Sequence, residues 1–369
     1  MNWNEGYAAS YIMAEVDPNT WRDVSTTDIT GGNVSKGTTG LMESADVNVT
    51  EKLGEKWIRI WLYARQDDDG AREALFTGLL QCPMNKWNGR RRNNTAECYS
   101  VLKPADDIKL PRGWYVLAGT NGAKAVADLL SVSPAPIEYE DHSPDLADTI
   151  IAEDNESNLS MAWRILNAID WRIRISGYGN ISICPKGTTP DLILDSVEND
   201  IIEPDVTDSQ DFFSCPNVFR AISGDLTAIA RDEDEDSPLS IQSRGREIWA
   251  QDQAANLSNG ESIADYARRR LKELQAPARI INYARRFIPD IYPGDAIQVR
   301  NAEQNIVGNF RVDSQKITLG YGARTTEEAV YIGGATPEKI LRTTRAVLVD
   351  DAGNYLVTDG DELFVASLE

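Results

Sequence analysis

Histidine is almost missing from this chain: His142 is the only one, and it lies in an acidic, Pro-flanked loop. A Ser-His-Asp or Cys-His site would have to be built on that single residue, and no GxSxG nucleophile elbow accompanies it. The four cysteines, Cys82, Cys98, Cys184 and Cys215, are far apart and form no CxxC pair. A zinc site would therefore have to gather its ligands from scattered positions, and the four read instead as free thiols. No stretch approaches the roughly 20 apolar residues that a membrane-spanning helix needs, so stable membrane insertion is not expected. The opening Met1-Asn2-Trp3-Asn4-Glu5 has neither a basic nor an apolar signal region, which sets the expectation of no secretory leader. Positive charge is scarce as well. Lys and Arg number 37 against 58 Asp and Glu, giving a formal net charge of −21. So acidic a surface repels phosphate backbones and argues against a nucleic-acid binder that works by charge neutralisation, with acidic solubility as the plainer reading of the charge. Together these absences predict no catalytic residue, no cofactor and no metal.

What is present is the material of packed cores. The chain is 41% apolar and carries nine Trp and thirteen Tyr, large rings that need a core or an interface to cover them. Its 369 residues suffice for two or three domains. Residues 1–105 read as mainly β. Ala45, Val47 and Val49 alternate, and Trp57–Tyr63 is nearly continuously apolar, the mark of a strand covered on both faces. Asp67-Asp68-Asp69-Gly70 supplies a turn, Ala74–Leu80 the returning strand, and Glu97–Val101 a further one. Across 106–209 the pattern becomes α+β. A short helix is predicted over Gly122–Leu130, and a second after Asn158, whose side chain can cap it, with Leu159, Ala162, Trp163, Leu166 and Ile169 on one face. Trp171, Ile173 and Ile175 then alternate, Gly177-Tyr178-Gly179-Asn180 turns, and Ile181–Ile183 returns as a hairpin.

Residues 210–330 return to strands, predicted at 278–283, 296–300, 308–313 and 315–320. One amphipathic helix runs from Ser262 to Leu274, with Ile263, Tyr266, Ala267, Leu271 and Leu274 on its apolar stripe and Pro277 beyond its end. Residues 331–369 form a small β appendage, with strands predicted at Ala346–Val349, Tyr355–Val357 and Leu363–Val365.

Two charged clusters invite a functional reading. Asp232, Asp234 and Asp236 copy the first three ligand positions of a calcium loop, but Ser237 replaces the turn glycine and Ser243 the bidentate glutamate, so a solvated acidic loop is expected. Arg90-Arg91-Arg92 is a short basic run in an acidic chain and reads as a loop tip or an inter-subunit contact. Paired carboxylates are plentiful, which keeps a cell-wall glycan hydrolase, or a carbohydrate- or receptor-binding component, as the alternative function. A hydrolase needs two carboxyls held beside a sugar cleft, whereas these acids fall in turns and runs.

The order of several motifs resembles the tail-hub (baseplate-hub) proteins of bacteriophages, including the hub-like N-terminal part of siphophage tail-associated proteins. The Trp57-to-Gly78 strand pair and Ser100-Val101-Leu102-Lys103-Pro104 resemble the end of the first hub barrel. Leu159–Ile183 resembles the inserted α+β module. Asn217-Val218, Ser237-Pro238, Gly245-Arg246 and Pro293-Gly294-Asp295 resemble the second barrel. The resemblance implies tandem hub-type β-barrels: three chains as a homotrimer would make a ring of six barrels that adapts a six-fold tail tube to a three-fold tip. It implies as partners a distal tail protein ring, the tape-measure protein and tail-tip fibre or receptor-binding proteins, with double-stranded DNA only in transit. The place implied is the virion tail tip, after synthesis in the host cytoplasm. Some relatives continue into a lytic or receptor-binding region; here the sequence stops at Glu369, and the expectation is a structural, non-enzymatic hub.

Overall fold

The computed structural model describes residues 2–3, 5–50, 53–67, 69–82, 86–89, 91–92, 94–187, 190, 192–195, 202–223, 226–252, 262–301, 304–333, 345–347 and 365–367. They fall into two compact units, Met1–Val206 with Asn282–Glu369, and Thr207–Ile281. As the sequence predicts, strand predominates.

In the first unit one sheet collects strands from both ends of the chain. Its path runs Thr325–Gly333, Ile306–Thr318, Gly32–Gly37, Glu43–Val49, Asn94–Ser100, Asp69–Gln81, Lys56–Gln66, Ala8–Asp17 and Arg22–Asp28. Ile306–Thr318 is a single strand where the sequence predicts two. It pairs Ser314 with Gly37 and Thr318 with Asn33, and a register shift at Val312–Ser314 marks its pairing with Thr325–Gly333. The strand pairing among the described residues traces no closed barrel: the path ends at Arg22–Asp28, exposed along its whole length.

Alternation sets the sheet's two faces. Ala45, Val47 and Val49 join Ile58, Ile60, Leu62, Phe76, Leu80 and Ile317 in one core. Each fully buried aliphatic or aromatic side chain there contributes about 1.5–3 kcal/mol. Lys56–Gln66 is covered on its second face too, as its apolar run predicts: Trp61 is buried with Ala14 and Ala74, and Arg59 is buried beside Thr77.

The α+β module belongs to this unit. Helices α1 (Lys103–Asp107), α2 (Gly122–Leu130) and α3 (Asn158–Ile169) precede the hairpin Trp171–Ile175/Ile181–Pro185. The cap of α3 lies one residue earlier than expected. Ser157 adopts the extended cap conformation and accepts from Ser160 N, while Asn158 is the first helical residue and donates instead to Leu129 O. A parallel strand, Ile137–Tyr139, adds to the hairpin. Val126, Leu130, Leu159, Ile165, Leu166, Ile173 and Ile183 share one core, against which Trp21 and Trp57 of the main sheet pack.

The second unit is a three-stranded sheet covered by one helix. Val218–Ser223 pairs antiparallel with Leu226–Arg231 and parallel with Trp249–Asp252. Helix α5 (Ile263–Leu274, following the short α4, Ile241–Arg244) is capped by Ser262 and lays the predicted Tyr266, Ala267 and Leu271 on Phe219, Ala221 and Ala230. It ends at Gln275, two residues before Pro277. Of the appendage, Arg345–Val347 and Val365–Ser367 pair antiparallel; Tyr355–Val357 lies outside the described residues.

Candidate functional site

The chemistry of this chain is concentrated where its α+β module is fixed to the main sheet. The hairpin turn carries the contact. Gly179 has φ of +80°, and its N–H closes the turn on Ser176 O at 2.8 Å. A Cβ on Gly177 would stand 1.6 Å from Ala74 O, so only glycine lets the turn lie against the sheet. Thr77 Oγ1 donates to Gly177 O at 2.8 Å and accepts from Arg59 Nε at 3.0 Å. Tyr178 O receives Trp21 Nε1 at 2.9 Å and a second Arg59 nitrogen at 3.2 Å. Asp23 completes the set, accepting from Arg59 at 2.7 Å and from Trp61 Nε1 at 2.8 Å. Burial is the main force lowering the Arg59 pKa, and Asp23 opposes it.

A second clamp uses the Pro293-Gly294-Asp295 motif. Asp295 pairs with Arg172 at 2.8 Å and Arg174 at 3.5 Å, both from the hairpin, and accepts from Tyr292 N at 2.9 Å. Gly294 has φ of +90°, and a Cβ there would meet the Arg172 guanidinium at 2.3 Å. The Tyr292 ring lies below two cations, Arg174 at 4.6 Å and Lys36 at 4.9 Å. Lys36 in turn pairs with buried Glu43 at 3.0 Å, and burial pushes the Glu43 carboxyl up. Beside these, Arg285 and Glu327 form a fully buried pair with bonds of 2.8 and 2.5 Å, and Gln315 adds a third to Glu327 at 2.7 Å. Arrays of this kind fix geometry; none presents a nucleophile beside a base.

The residues singled out by sequence are dispersed. His142 is exposed and pairs with Glu140 at 2.9 Å. Asp232 and Asp234 turn their carboxylates onto their own loop, accepting from Asp234 N at 3.2 Å and Asp236 N at 3.0 Å, and Asp232 also accepts from Ser237 Oγ and Gln275 Nε2 at 2.8 Å. Among the described residues no three His, Cys, Asp or Glu side chains are grouped to hold a metal ion. None of the four cysteines is in a disulfide; Cys82, Cys98 and Cys215 are buried and Cys184 is half-buried. Arg90 lies outside the described residues, while Arg91 and Arg92 form a two-residue ladder with Trp87 and Asn88. Trp163 is half-buried rather than fully in the core, and its indole donates to Gly40 O at 3.1 Å.

Sequence reasoning missed the surfaces. Tyr115, Leu117 and Ile151 are exposed at 55%, 58% and 57% on the first unit. On the second unit Phe213 is 76% exposed yet held in place, its carbonyl accepting from Arg246 at 3.0 Å and its ring 4.2 Å from that guanidinium. The exposed pair Tyr115/Ile151 lies in a two-residue ladder too short for alternation to show. No helix among the described residues is long and apolar enough to cross a membrane.

No family model and no curated protein sequence matches the chain. Solved structures do. The 43 kDa tail protein of prophage MuSo2 from Shewanella oneidensis superposes with a TM-score of 0.60 at 10% identity, over 89% of this chain and 99% of that one. A tail protein from Neisseria meningitidis MC58 gives 0.59 at 13% identity, over 89% and 97%. A chain of the Francisella PdpA–VgrG complex gives 0.57 at 9% identity, over 90% of this chain and 59% of that one. At such identities the likeness is one of fold, and it runs through both units: this chain has the fold of the phage tail proteins.

Proposed function

We propose that the chain is a structural hub of a phage-like tail tip or baseplate. The observation that carries this reading is the near end-to-end match with two tail proteins, one of them from a prophage, in which neither chain leaves a large unmatched part. In this reading three copies close into a ring, since a head-to-tail contact that does not close would polymerise without end. Residues 1–105 and 210–330 of each chain supply two β-rich positions, six in all, facing a six-fold tube on one side and a three-fold tip on the other. Residues 106–209 form the inserted α+β module, and 331–369 the appendage. The clamps around Gly177 and Asp295 support a structural role, because each ties distant segments through buried charge and backbone contacts. The hub is non-enzymatic and resides in the virion. Its partners are the distal tail ring, the tape-measure protein and tip fibres. The acidic balance of −21 suits a channel wall, because DNA with one charge per about 1.7 Å of axis would bind a basic wall through many phosphates.

Light scattering and electron microscopy of the purified chain test the proposal. A three-fold ring with a predominantly acidic lumen is the expected result. A poreless dimer, or a lumen lined mainly by Lys and Arg, refutes it.

A further inference from the structure

In the first unit a pocket of about 410 Å³ opens between the loop after Gly32–Gly37, the C-terminal end of α3 and the strand Ile306–Thr318. Its charged lining is Arg172, Lys186 and Arg311 against a single carboxylate, Asp313, and Trp163 and Trp171 add apolar wall. Asp313 is already engaged, accepting from Thr38 Oγ1 at 2.9 Å. Arg172 and Lys186 have counter-charges, Asp295 at 2.8 Å and Asp170 at 2.6 Å. Arg311 has none: its half-buried side chain makes no ion pair and no hydrogen bond among the described residues. Water in the pocket would hydrate it but brings no negative charge. A cation drawn partly out of bulk solvent without a counter-charge favours an anion delivered to it.

The complement is present in the same chain. Asp232–Asp236 is its longest unbroken acidic run and belongs to the second unit. Asp232 and Asp234 hold the loop in shape by accepting from its own N–H groups, at 3.2 and 3.0 Å. Glu233, Glu235 and Asp236 are exposed, and their carboxylates are bonded to nothing among the described residues. A loop shaped in advance loses little further freedom when it docks. We propose that a glutamate of this loop enters the Arg311 pocket of a second copy, which on the hub reading is the head-to-tail contact that joins one protomer to the next. A carboxylate only accepts, and a guanidinium offers donors in a fork that can take both its oxygens. The pocket has the volume of about a dozen waters at ~30 Å³ each, room for one glutamate side chain and its hydration. Loop and pocket are different surfaces, so the contact is heterologous and ends without free faces only by closing into a ring.

The test is self-association of the full chain by analytical ultracentrifugation, with fold integrity checked by circular dichroism. Glu233→Lys/Glu235→Lys and Arg311→Glu are each expected to weaken association at least about tenfold, and the chain carrying all three changes is expected to recover most of it, since the charges match again. A second arm does not depend on Arg311→Glu folding. A peptide of residues 232–239 is added to a Glu233→Gln/Glu235→Gln chain, whose own loop no longer competes for the pocket. It is expected to bind at least about fivefold more tightly than the same peptide with its five acids as amides, and to lose that preference when Arg311→Gln is added. Association untouched by either reversal, equal binding of the two peptides, or a preference that survives Arg311→Gln overturns the proposal. A three-fold ring that forms whatever these charges do refutes the contact and leaves the hub standing. A poreless dimer that depends on both charges refutes the ring and leaves the contact standing.

Discussion

Replacing Glu327 by Gln is the sharpest test of how the first unit is held. The change keeps size and shape but removes the charge and turns one acceptor oxygen into a donor aimed at the Arg285 guanidinium. Arg285 is fully buried, as is Glu327, so nothing from solvent compensates. Leaving one partner of such a pair uncompensated costs about 3–5 kcal/mol. That is a large share of the 5–15 kcal/mol typical of a folded domain. Arg285→Met in the same chain removes the stranded cation and should recover most of the loss. The pH dependence has a definite sign. Burial alone pushes the Glu327 carboxyl up, but the Arg285 charge and the bonds it donates outweigh it and hold the carboxyl below its ordinary 4.5. The folded value is the lower one, so the stabilisation is complete above the ordinary carboxylate range and is lost as pH falls through the depressed value. Glu43 runs the opposite way, since burial raises its carboxyl despite Lys36; its contribution fades as pH rises from the ordinary value, and it cancels when variant and wild type are compared at one pH. Urea unfolding followed by tryptophan fluorescence should show the largest gap at pH 7 and a closing gap in acid. A gap under about 1 kcal/mol at pH 7, below the range for breaking a buried pair, or one that widens in acid, refutes the reasoning.

Gly177→Ala should destabilise by more than about 3 kcal/mol, because the new methyl meets a main-chain oxygen that cannot yield, whereas Gly187→Ala, in open space, should stay within about 0.5 kcal/mol. Equal melting temperatures for the two would show that the turn does not seat on the sheet. Trp163→Ala should cost about 2 kcal/mol, less than a fully buried tryptophan, since the ring is half covered and gives up one bond to Gly40; calorimetry with an unchanged melting point would contradict that placement. His142→Ala should leave stability within about 0.5 kcal/mol and tail assembly unchanged, as its side chain is 81% exposed, and a tenfold loss of infectivity with normal folding would reveal a role absent from this account. Calcium titration should detect nothing tighter than about millimolar at Asp232–Asp236, whose first carboxylates are already turned onto their own loop. Micromolar binding removed by Asp234→Asn would overturn it.

Local features of the fold were legible in the residues. The α2 range, the Trp171–Ile183 hairpin and the α5 stripe follow from period and turn chemistry alone, and they match the structure. The cap of α3 was misjudged by one position because Ser157 and Asn158 are both good caps, and only the packing of Asn158 on Leu129 decides between them. The sheet's path was not legible, since Gly32–Gly37 and Ile306–Thr318 pair across most of the chain and no local pattern records that. Asn217 and Pro293-Gly294-Asp295 stood out as motifs, but their work appeared only in space: Asn217 is fully buried and its amide ties Leu239, Arg246 and Ile248 together.

The pairing of Gly32–Gly37 with Ile306–Thr318 also sets a timetable. The two strands meet residue for residue, yet some 280 positions separate them. At a synthesis rate of about 5–20 residues per second, the earlier strand waits on the order of 15–60 s for its neighbour to leave the ribosome. Until then the sheet built from the first hundred residues keeps a hydrogen-bonding edge open in a crowded cell. Nascent chains stalled before Ile306 should therefore cling to one another or to chaperones, and release of the last strands should set them free.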